Sequence, residues 1–237
     1  LRSRDVAAGS QGAPLVPAFH QGVFSKPSET TLVLNIGGIA NLSVLGADGG
    51  VLGFDTGTGN ALMDGWCLRH TGKAYDESGQ WAASGQVIPE LLAAMLSDPY
   101  LAQEPPKSTG RDLFHADWLA QHLLRHAAKA APVDVQTTLT EFTAASCAHA
   151  VQRFGKGGKQ LLVCGGGALN SHLMQRLAAL LPGVTVTTTA ERGLPPLEVE
   201  AAAFAWLARQ CLLGLPGNLA SVTGARGPRI LGAIYPA

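Results

Sequence analysis

The sequence predicts an α/β domain of the ribonuclease-H-like class, in which helices flank a mixed sheet. Three short β-prone runs come first, at residues 31–35, 39–45 and 51–55. The turns between them contain Gly37-Gly38 and Asp48-Gly49-Gly50, residue types that favour hairpins. These runs are expected to form an antiparallel meander, and the alternating helices and strands that follow add a parallel part to the sheet.

Apolar residues at helical or strand spacing predict the remaining elements. Asn60 is a candidate N-cap of the first helix and Gly72 a stop signal, and Thr138 and Glu141 have capping-box spacing near the start of a long helix. We expect helices at about residues 60–69, 88–96, 118–123, 135–154, 169–180 and 198–213, strands at 160–164 and 184–189, and loops at 7–17 and 103–110.

The composition of the 237 residues limits the function classes. Seventeen basic residues balance seventeen acidic ones, so no net charge attracts the chain to nucleic acid or to an anionic membrane, and a small molecule is the expected partner. Four cysteines without a Cys-x-x-Cys pair predict reduced thiols in a cytoplasmic protein. Residues 1–5 lack an initiator Met, which suggests a cut through a longer protein or a processed terminus.

Three glycine-rich turns follow β-prone runs, at residues 35–41, 53–60 and 164–170. Each taken alone is explained by ordinary turn chemistry. Together they predict backbone N–H groups that can approach phosphate oxygens closely. The chain has no Gly-x-x-x-x-Gly-Lys-Ser/Thr motif, and Asn170 stands where a dinucleotide fingerprint requires glycine. A nucleotide would therefore be bound in another way.

Asp55 is the main catalytic candidate, since it ends a buried strand beside a glycine-rich turn. A carboxylate held rigidly at the edge of a sheet suits a general base. The alternative is a structural Asp that caps backbone groups of the turn. Charged residues elsewhere, Arg4-Asp5 and Glu198 to Glu200 among them, are compatible with an ordinary surface.

Two further patterns are weaker. His122 and His126 have the i,i+4 spacing that can place two imidazoles on one metal, but the sequence shows no third ligand. Packed or solvated histidines are the alternative. The segment 107–111, Lys-Ser-Thr-Gly-Arg, is suited to contact phosphate or sugar, although exposed loops often have this composition.

Taken together, these segments resemble the anhydro-N-acetylmuramic acid kinases, bacterial cell-wall recycling enzymes of the actin, hexokinase and Hsp70 superfamily. The resemblance spans almost the whole chain and rests on several motifs in one order: residues 2–9, 11–15, the three glycine turns, 107–111, 216–218 and 232–236. It implies a two-lobed kinase, with residues 1–30 as a connecting segment and substrate-contacting loop from the first lobe and 31–237 as the second lobe with a C-terminal segment. It also implies ATP and Mg²⁺, 1,6-anhydro-N-acetylmuramic acid as acceptor, N-acetylmuramic acid 6-phosphate as product, and a homodimer.

The resemblance also implies roles for individual residues. Asp55 becomes the catalytic base, and Arg4 and Glu200 become sugar contacts. The predicted nucleotide contacts are Gly37, Gly38 and Asn41 at the phosphates and Gly165, Gly166, Gly167 and Asn170 at the adenosine.

The chain departs from the family pattern in three places. Ser10 and Thr58 replace a common glycine and a common proline, and the family's first phosphate-binding turn is missing from these residues. Residues 1–237 alone are therefore expected to lack activity. Two alternatives stay open: a metal-dependent member of the superfamily that uses His122 and His126, and a non-catalytic sugar-binding module.

Overall fold

A computed structural model describes residues 2–10, 12–110 and 112–235. Five strands form one sheet in the order β3-β2-β1-β4-β5. The strands are β1 Thr31–Ile36, β2 Ile39–Leu45, β3 Val51–Thr58, β4 Gln160–Cys164 and β5 Thr185–Thr188. The β1-β2 and β2-β3 pairs are antiparallel, whereas β1-β4 and β4-β5 are parallel. This mixed order confirms the predicted ribonuclease-H-like class.

Ten α-helices occur in the part of the chain that the structure describes. Their bounds are α1 Arg2–Val6, α2 Pro17–Phe24, α3 Ala61–Thr71, α4 Pro89–Leu96, α5 Pro99–Ala102, α6 Ala116–His126, α7 Pro132–Phe154, α8 Ser171–Leu180, α9 Val199–Leu212 and α10 Ala220–Thr223. Gly72 ends α3 as predicted, in the left-handed conformation with φ of 72°.

The sheet buries both faces, which is why its central strands are apolar without alternation. The long helix α7 covers one face, where Phe142 and Leu139 join Leu34 and Phe54 in the larger core. Helices α2 and α9 cover the other face, where Phe19 and Phe24 join a smaller core. Residues 17–24 thus pack directly on the sheet. The proposed domain boundary at residue 30 stays a prediction.

One predicted helix cap is wrong, and the other has the predicted position without a side-chain capping bond. The structure begins α7 at Pro132, so Thr138 lies inside the helix, where its hydroxyl donates to the Asp134 carbonyl. Asn60 does precede α3, but its side chain makes no capping bond and donates instead to the Ile36 carbonyl. Sequence spacing could not reveal either outcome, because α7 begins at a proline that has no N–H to cap. The Asn60 contact, in turn, depends on a turn 24 residues earlier in the chain.

Parts of three motifs lie outside the described residues, namely Gln11, Arg111 and Pro236. Within the described ranges, no helix combines the length and the apolar character needed to cross a membrane.

Candidate active site

A cavity of about 560 Å³ opens where the parallel strands end, and Asp55 is part of its wall. Residues from seven segments line it: Arg2, Gly12 to Val16, parts of 35–41, Asp55, Ser108 to Gly110, Gly165 with Gly166, and parts of 196–207. The carboxyl ends of parallel strands are the usual place for ligands in α/β sheets. We call this space the Asp55 cavity.

A bulge in the β2-β3 pair determines where Asp55 lies. Ala40 pairs with Gly57 and Asn41 pairs with Asp55, so Thr56 is an extra residue on β3. Gly57 has φ of 144°, a backbone conformation that residues other than glycine rarely adopt. Bulges of this kind bend a strand and re-aim a side chain. Strand β3 is longer than predicted because it continues through this bulge to Thr58.

One carboxylate oxygen of Asp55 is held by the segment that follows α5. The Ser108 hydroxyl donates to Oδ2 at 2.8 Å, and the Thr109 backbone N–H donates to the same oxygen at 3.0 Å. Among the described residues, none donates a hydrogen bond to Oδ1. Burial raises the pKa of Asp55, while these two hydrogen bonds and the charges of Arg2 and Lys107 act in the opposite direction.

Lys107 fixes the segment that contains Ser108 and Thr109 through contacts with α5. Its ammonium donates to the carbonyls of Tyr100 and Leu101, at 3.1 and 3.3 Å, and lies 4.7 Å from the centroid of the Tyr100 ring. The Lys107 carbonyl accepts from the Asp55 backbone N–H, and the Tyr100 hydroxyl donates to the Asp55 carbonyl. The alternative of an exposed loop does not hold for Lys107, which is only 5% exposed and whose pKa is lowered to about 8 by burial.

The structure places the charged residues Arg2, Arg4 and Glu200 differently from the sequence expectation. Glu200, at the start of α9, lines the Asp55 cavity. Arg2 also lines it, although the motif assigned no role to this residue. Arg4 is exposed and donates to the Ile230 carbonyl, and it is not among the lining residues.

The glycine turns bring backbone segments together at the cavity. A Cβ on Gly165 would lie 2.6 Å from the Ile36 carbonyl oxygen, and one on Gly167 would lie 2.4 Å from the Ile36 side chain. Gly37 is different, since a Cβ there would meet nothing closer than 3.6 Å and its φ is not positive. The fold therefore explains the first two glycines, whereas no close contact within the fold requires glycine at position 37.

Five of the predicted nucleotide contacts line the cavity: Gly37, Gly38, Asn41, Gly165 and Gly166. Their contact with a nucleotide stays a prediction. Gly167 is buried behind them. The side chain of Asn170 accepts a hydrogen bond from the Leu173 N–H and caps α8. These backbone-lined turns have the space and the N–H groups that suit an anion, which is the fit expected of a nucleotide phosphate.

A second cavity of about 530 Å³ lies between α3 and α6. Gly37 and Gly38 line it as well, so this turn separates the two cavities. His122 and His126 are on α6, with ring centroids 6.2 Å apart, and the His122 ring packs on Trp118. The described residues contain no group of three His, Cys, Asp or Glu that could hold a metal.

A second buried carboxylate, Asp5, was missed as a structural residue because the sequence favoured a surface charge. Asp5 is fully buried and accepts hydrogen bonds from Ser10, from Asn218 at 2.6 Å and from Thr223 at 3.2 Å. It ties α1 to residues 218–223. Serine and asparagine partners carry no periodic signal, so the sequence could not show this network.

The fold and this site define a ribonuclease-H-like domain with a rigidly held carboxylate in a glycine-lined cavity. A family model described as "Anhydro-N-acetylmuramic acid kinase" matches residues 1–237. The chain therefore belongs to the anhydro-N-acetylmuramic acid kinase family.

Relatives with that name cover the whole chain. They include proteins from Variovorax paradoxus (63% identical), Albidiferax ferrireducens (59%) and Cupriavidus pinatubonensis (59%). The chain spans 64%, 66% and 64% of these relatives, slightly less than two thirds. A solved structure, the activator of the 2-hydroxyisocaproyl-CoA dehydratase from Clostridium difficile with bound ADPNP, matches 79% of this chain and 61% of its own, with a TM-score of 0.49 and 13% identity.

Proposed function

We propose that this chain is the second lobe of an ATP-dependent kinase that opens 1,6-anhydro-N-acetylmuramic acid and phosphorylates O6, giving N-acetylmuramic acid 6-phosphate for cell-wall recycling. The observation that carries the proposal is Asp55, 6% exposed, with one oxygen fixed by two donors and the residue in the wall of the cavity. The membership of the family supports the choice of substrate.

Asp55 is the proposed general base. It accepts a proton from a water whose oxygen forms a bond to the anomeric carbon, and the bond from that carbon to O6 breaks with its electron pair on O6. O6 then attacks the γ-phosphorus of ATP, and the bond to the β-phosphate oxygen breaks with its pair on ADP. Hydrolytic opening and phosphoryl transfer are thereby coupled, and no separate acid is needed for the leaving oxygen.

The remaining site residues would bind the two substrates. Gly37 and Gly38 suit the phosphates of ATP, because their backbone approaches the cavity without side chains. Gly165 and Gly166 suit the adenosine side, with Gly167 and Asn170 shaping that turn. Mg²⁺, if bound with ATP, would neutralise charge on the phosphates. Glu200 is the proposed sugar contact, and Arg4 stays a prediction from the resemblance, while Arg2 is the arginine that lines the cavity.

Several finer expectations belong to the same proposal. ATP as donor and four cysteines without a disulfide pattern support a reaction in the cytoplasm. The homodimer and the absence of nucleic-acid or membrane partners stay predictions.

The test is a transfer assay on the intact protein with γ-labelled ATP, Mg²⁺ and the anhydro sugar. We expect a product labelled on O6 whose anomeric carbon carries a hydroxyl from water, which ¹⁸O-water and mass spectrometry detect. Sugar binding by calorimetry without any label transfer would instead support the non-catalytic module and refute the kinase. Transfer without ¹⁸O uptake would refute the coupled mechanism.

A further inference from the structure

Lys107 is a buried charged residue to which the proposed mechanism assigns no role. Its side chain is 5% exposed, and among the described residues no carboxylate lies within ion-pairing distance of its ammonium. Burying a charge is unfavourable unless protein groups replace the lost hydration, here the carbonyls of Tyr100 and Leu101 at 3.1 and 3.3 Å. Stability alone does not explain a lysine at this position, since burial of an apolar side chain carries no such cost.

Lys107 joins α5 to the strand that carries Asp55. Its side chain bonds the end of α5, while its backbone carbonyl accepts from the Asp55 N–H at 3.3 Å. The Tyr100 hydroxyl, on α5, donates to the Asp55 carbonyl at 2.7 Å. The next two residues, Ser108 and Thr109, donate to Asp55 Oδ2 at 2.8 and 3.0 Å. A shift of Lys107 away from α5 would therefore move both donors relative to the carboxylate.

The charges that act on Lys107 come from several elements. Burial is the largest effect and lowers the pKa of Lys107 to about 8; Arg153 on α7 acts in the same direction, whereas Glu104 and Asp55 oppose it. His149, also on α7, lines the small space beside the lysine. With that pKa the side chain is mostly protonated at neutral pH. Burial raises the pKa of Asp55, and the charge of Lys107 is one of the effects that oppose this rise.

We propose that Lys107 is a positioning residue for the reaction: it binds the carbonyls at the end of α5 and thereby holds the following two residues where they fix one oxygen of Asp55. This inference rests on the proposed function, in which Asp55 is the general base. Lys107 is not among the residues that line the Asp55 cavity, so it acts through the segment and not on a substrate. Its contribution is to keep the base in one orientation, since a misplacement of about 1 Å can cost about 100-fold in rate.

The test is the Lys107→Met variant of the intact protein, compared with Lys129→Met, which replaces an exposed lysine. Methionine has a similar flexible chain but neither the charge nor the donors, and this variant should fold because an apolar group replaces a buried charge. We expect its kcat to fall about 10–100-fold. The acid limb of its kcat/KM profile should move to higher pH, because Asp55 loses donors and a charge that favour its ionised form. The KM for ATP should stay near its starting value, and Lys129→Met should behave as the starting protein. If thermal melting shows that Lys107→Met is unfolded, Lys107→Gln takes its place, with the same shifts at smaller size.

The double variant of Lys107→Met with Ser108→Ala shows whether the lysine acts through the segment. If it does, the two single variants disturb the same hydrogen bonds, and the acid limb of the double variant moves by less than the sum of the two single shifts. Shifts that add in full would overturn the inference, because the lysine would then act by its charge alone. Arg2, another cation whose charge acts on Asp55, is unchanged in every variant.

Three other results would also overturn the inference: an unchanged kcat and acid limb of Lys107→Met, a raised KM for ATP with kcat retained, or an equal loss in Lys129→Met. The Asp55→Asn variant separates the two levels of the argument. If Asp55→Asn is inactive and Lys107→Met is normal, only the positioning role fails; if Asp55→Asn retains its kcat, the proposed function fails with it.

Discussion

Two buried carboxylates in this protein differ in the hydrogen bonds that their oxygens accept from the protein. Asp5 is 0% exposed and Asp55 is 6% exposed, so burial alone does not distinguish them. Asp5 accepts hydrogen bonds on both oxygens, from Ser10 on one and from Asn218 and Thr223 on the other. From the described residues, Asp55 accepts them on Oδ2 alone, and it lines a cavity.

The difference teaches how to separate a structural carboxylate from a chemical one. A carboxylate that accepts hydrogen bonds on both oxygens has neither oxygen free for a substrate, and its loss leaves buried donors unpaired. A carboxylate fixed by one oxygen is oriented without being saturated. We therefore expect Asp5 to contribute mainly to stability and Asp55 mainly to turnover.

The largest expected effect is on Asp55→Asn. The amide keeps the size of the side chain but cannot act as a base, so kcat should fall about 10²–10⁴-fold, the usual contribution of general-base catalysis. The affinities for sugar and ADP and the melting temperature should change little. Steady-state kinetics with calorimetry and thermal melting measure all three. A near-normal kcat would refute the base, and a large fall in melting temperature would make Asp55 a structural residue like Asp5.

The converse change is Asp5→Ala. Three donors lose their acceptor at about 1 kcal/mol each, so the free energy of unfolding should decrease by about 3 kcal/mol. Denaturant unfolding measures this loss. The kcat, measured well below the melting temperature, should be retained because Asp5 is not part of the cavity wall. Asp5→Asn is the matched control and should lose less, since one oxygen still accepts. If Asp5→Ala and the starting protein had the same free energy of unfolding, the hydrogen bonds of Asp5 would not stabilise the fold. The contrast between Asp5 and Asp55 would then fail.

His20 extends the comparison to a buried base. Its Nδ1 lies 2.9 Å from the Ser43 hydroxyl, and burial lowers the pKa of His20 to about 3. The folded state thus keeps it neutral, whereas the unfolded chain binds a proton below about pH 6.5. The protonation of His20 therefore does not lower the free energy of unfolding above pH 6.5. Below it, the free energy of unfolding decreases by about one kcal/mol per pH unit as the pH falls toward 3.

Urea unfolding between pH 4.5 and 7.5 measures that slope. His20→Gln retains a hydrogen-bonding group for Ser43 but does not titrate, so its slope should be shallower over this range. Identical slopes in the two proteins would exclude His20 as a source of acid sensitivity.

The smallest expected effect is on Ser108→Ala. Removing one of the two donors to Asp55 Oδ2 destabilises the charged carboxylate, so the pKa of Asp55 rises further. The acid limb of the kcat/KM profile should move to higher pH. Ser97→Ala, which removes an exposed hydroxyl that bonds its own helix, is the control and should leave the profile in place. A fall in activity without movement of the acid limb would contradict the role of Ser108.

Much of the fold could be predicted because its signals are local. Strands β2 and β4 coincide with the predicted runs, since glycine-rich turns and continuous apolar residues mark their ends. The start of α7 was misplaced because Thr138 and Glu141 satisfy a capping-box pattern by coincidence. In the folded protein, Glu141 instead forms an ion pair with Arg176 on α8, at 2.7 Å.

The sequence by itself determined the mixed sheet, the glycine turns and the placement of Asp55 on a strand, because strand period, turn residues and apolar runs act over a few neighbouring residues. Only the tertiary structure decided which oxygens of Asp55 are occupied, that Lys107 is buried beneath it, and that Asp5 is a core residue. These depend on contacts between segments separated by tens to hundreds of residues, such as Asp5 with Asn218. Local residue preferences carry no information about such pairs, and burial and hydrogen bonding are fixed only when the chain has closed around them.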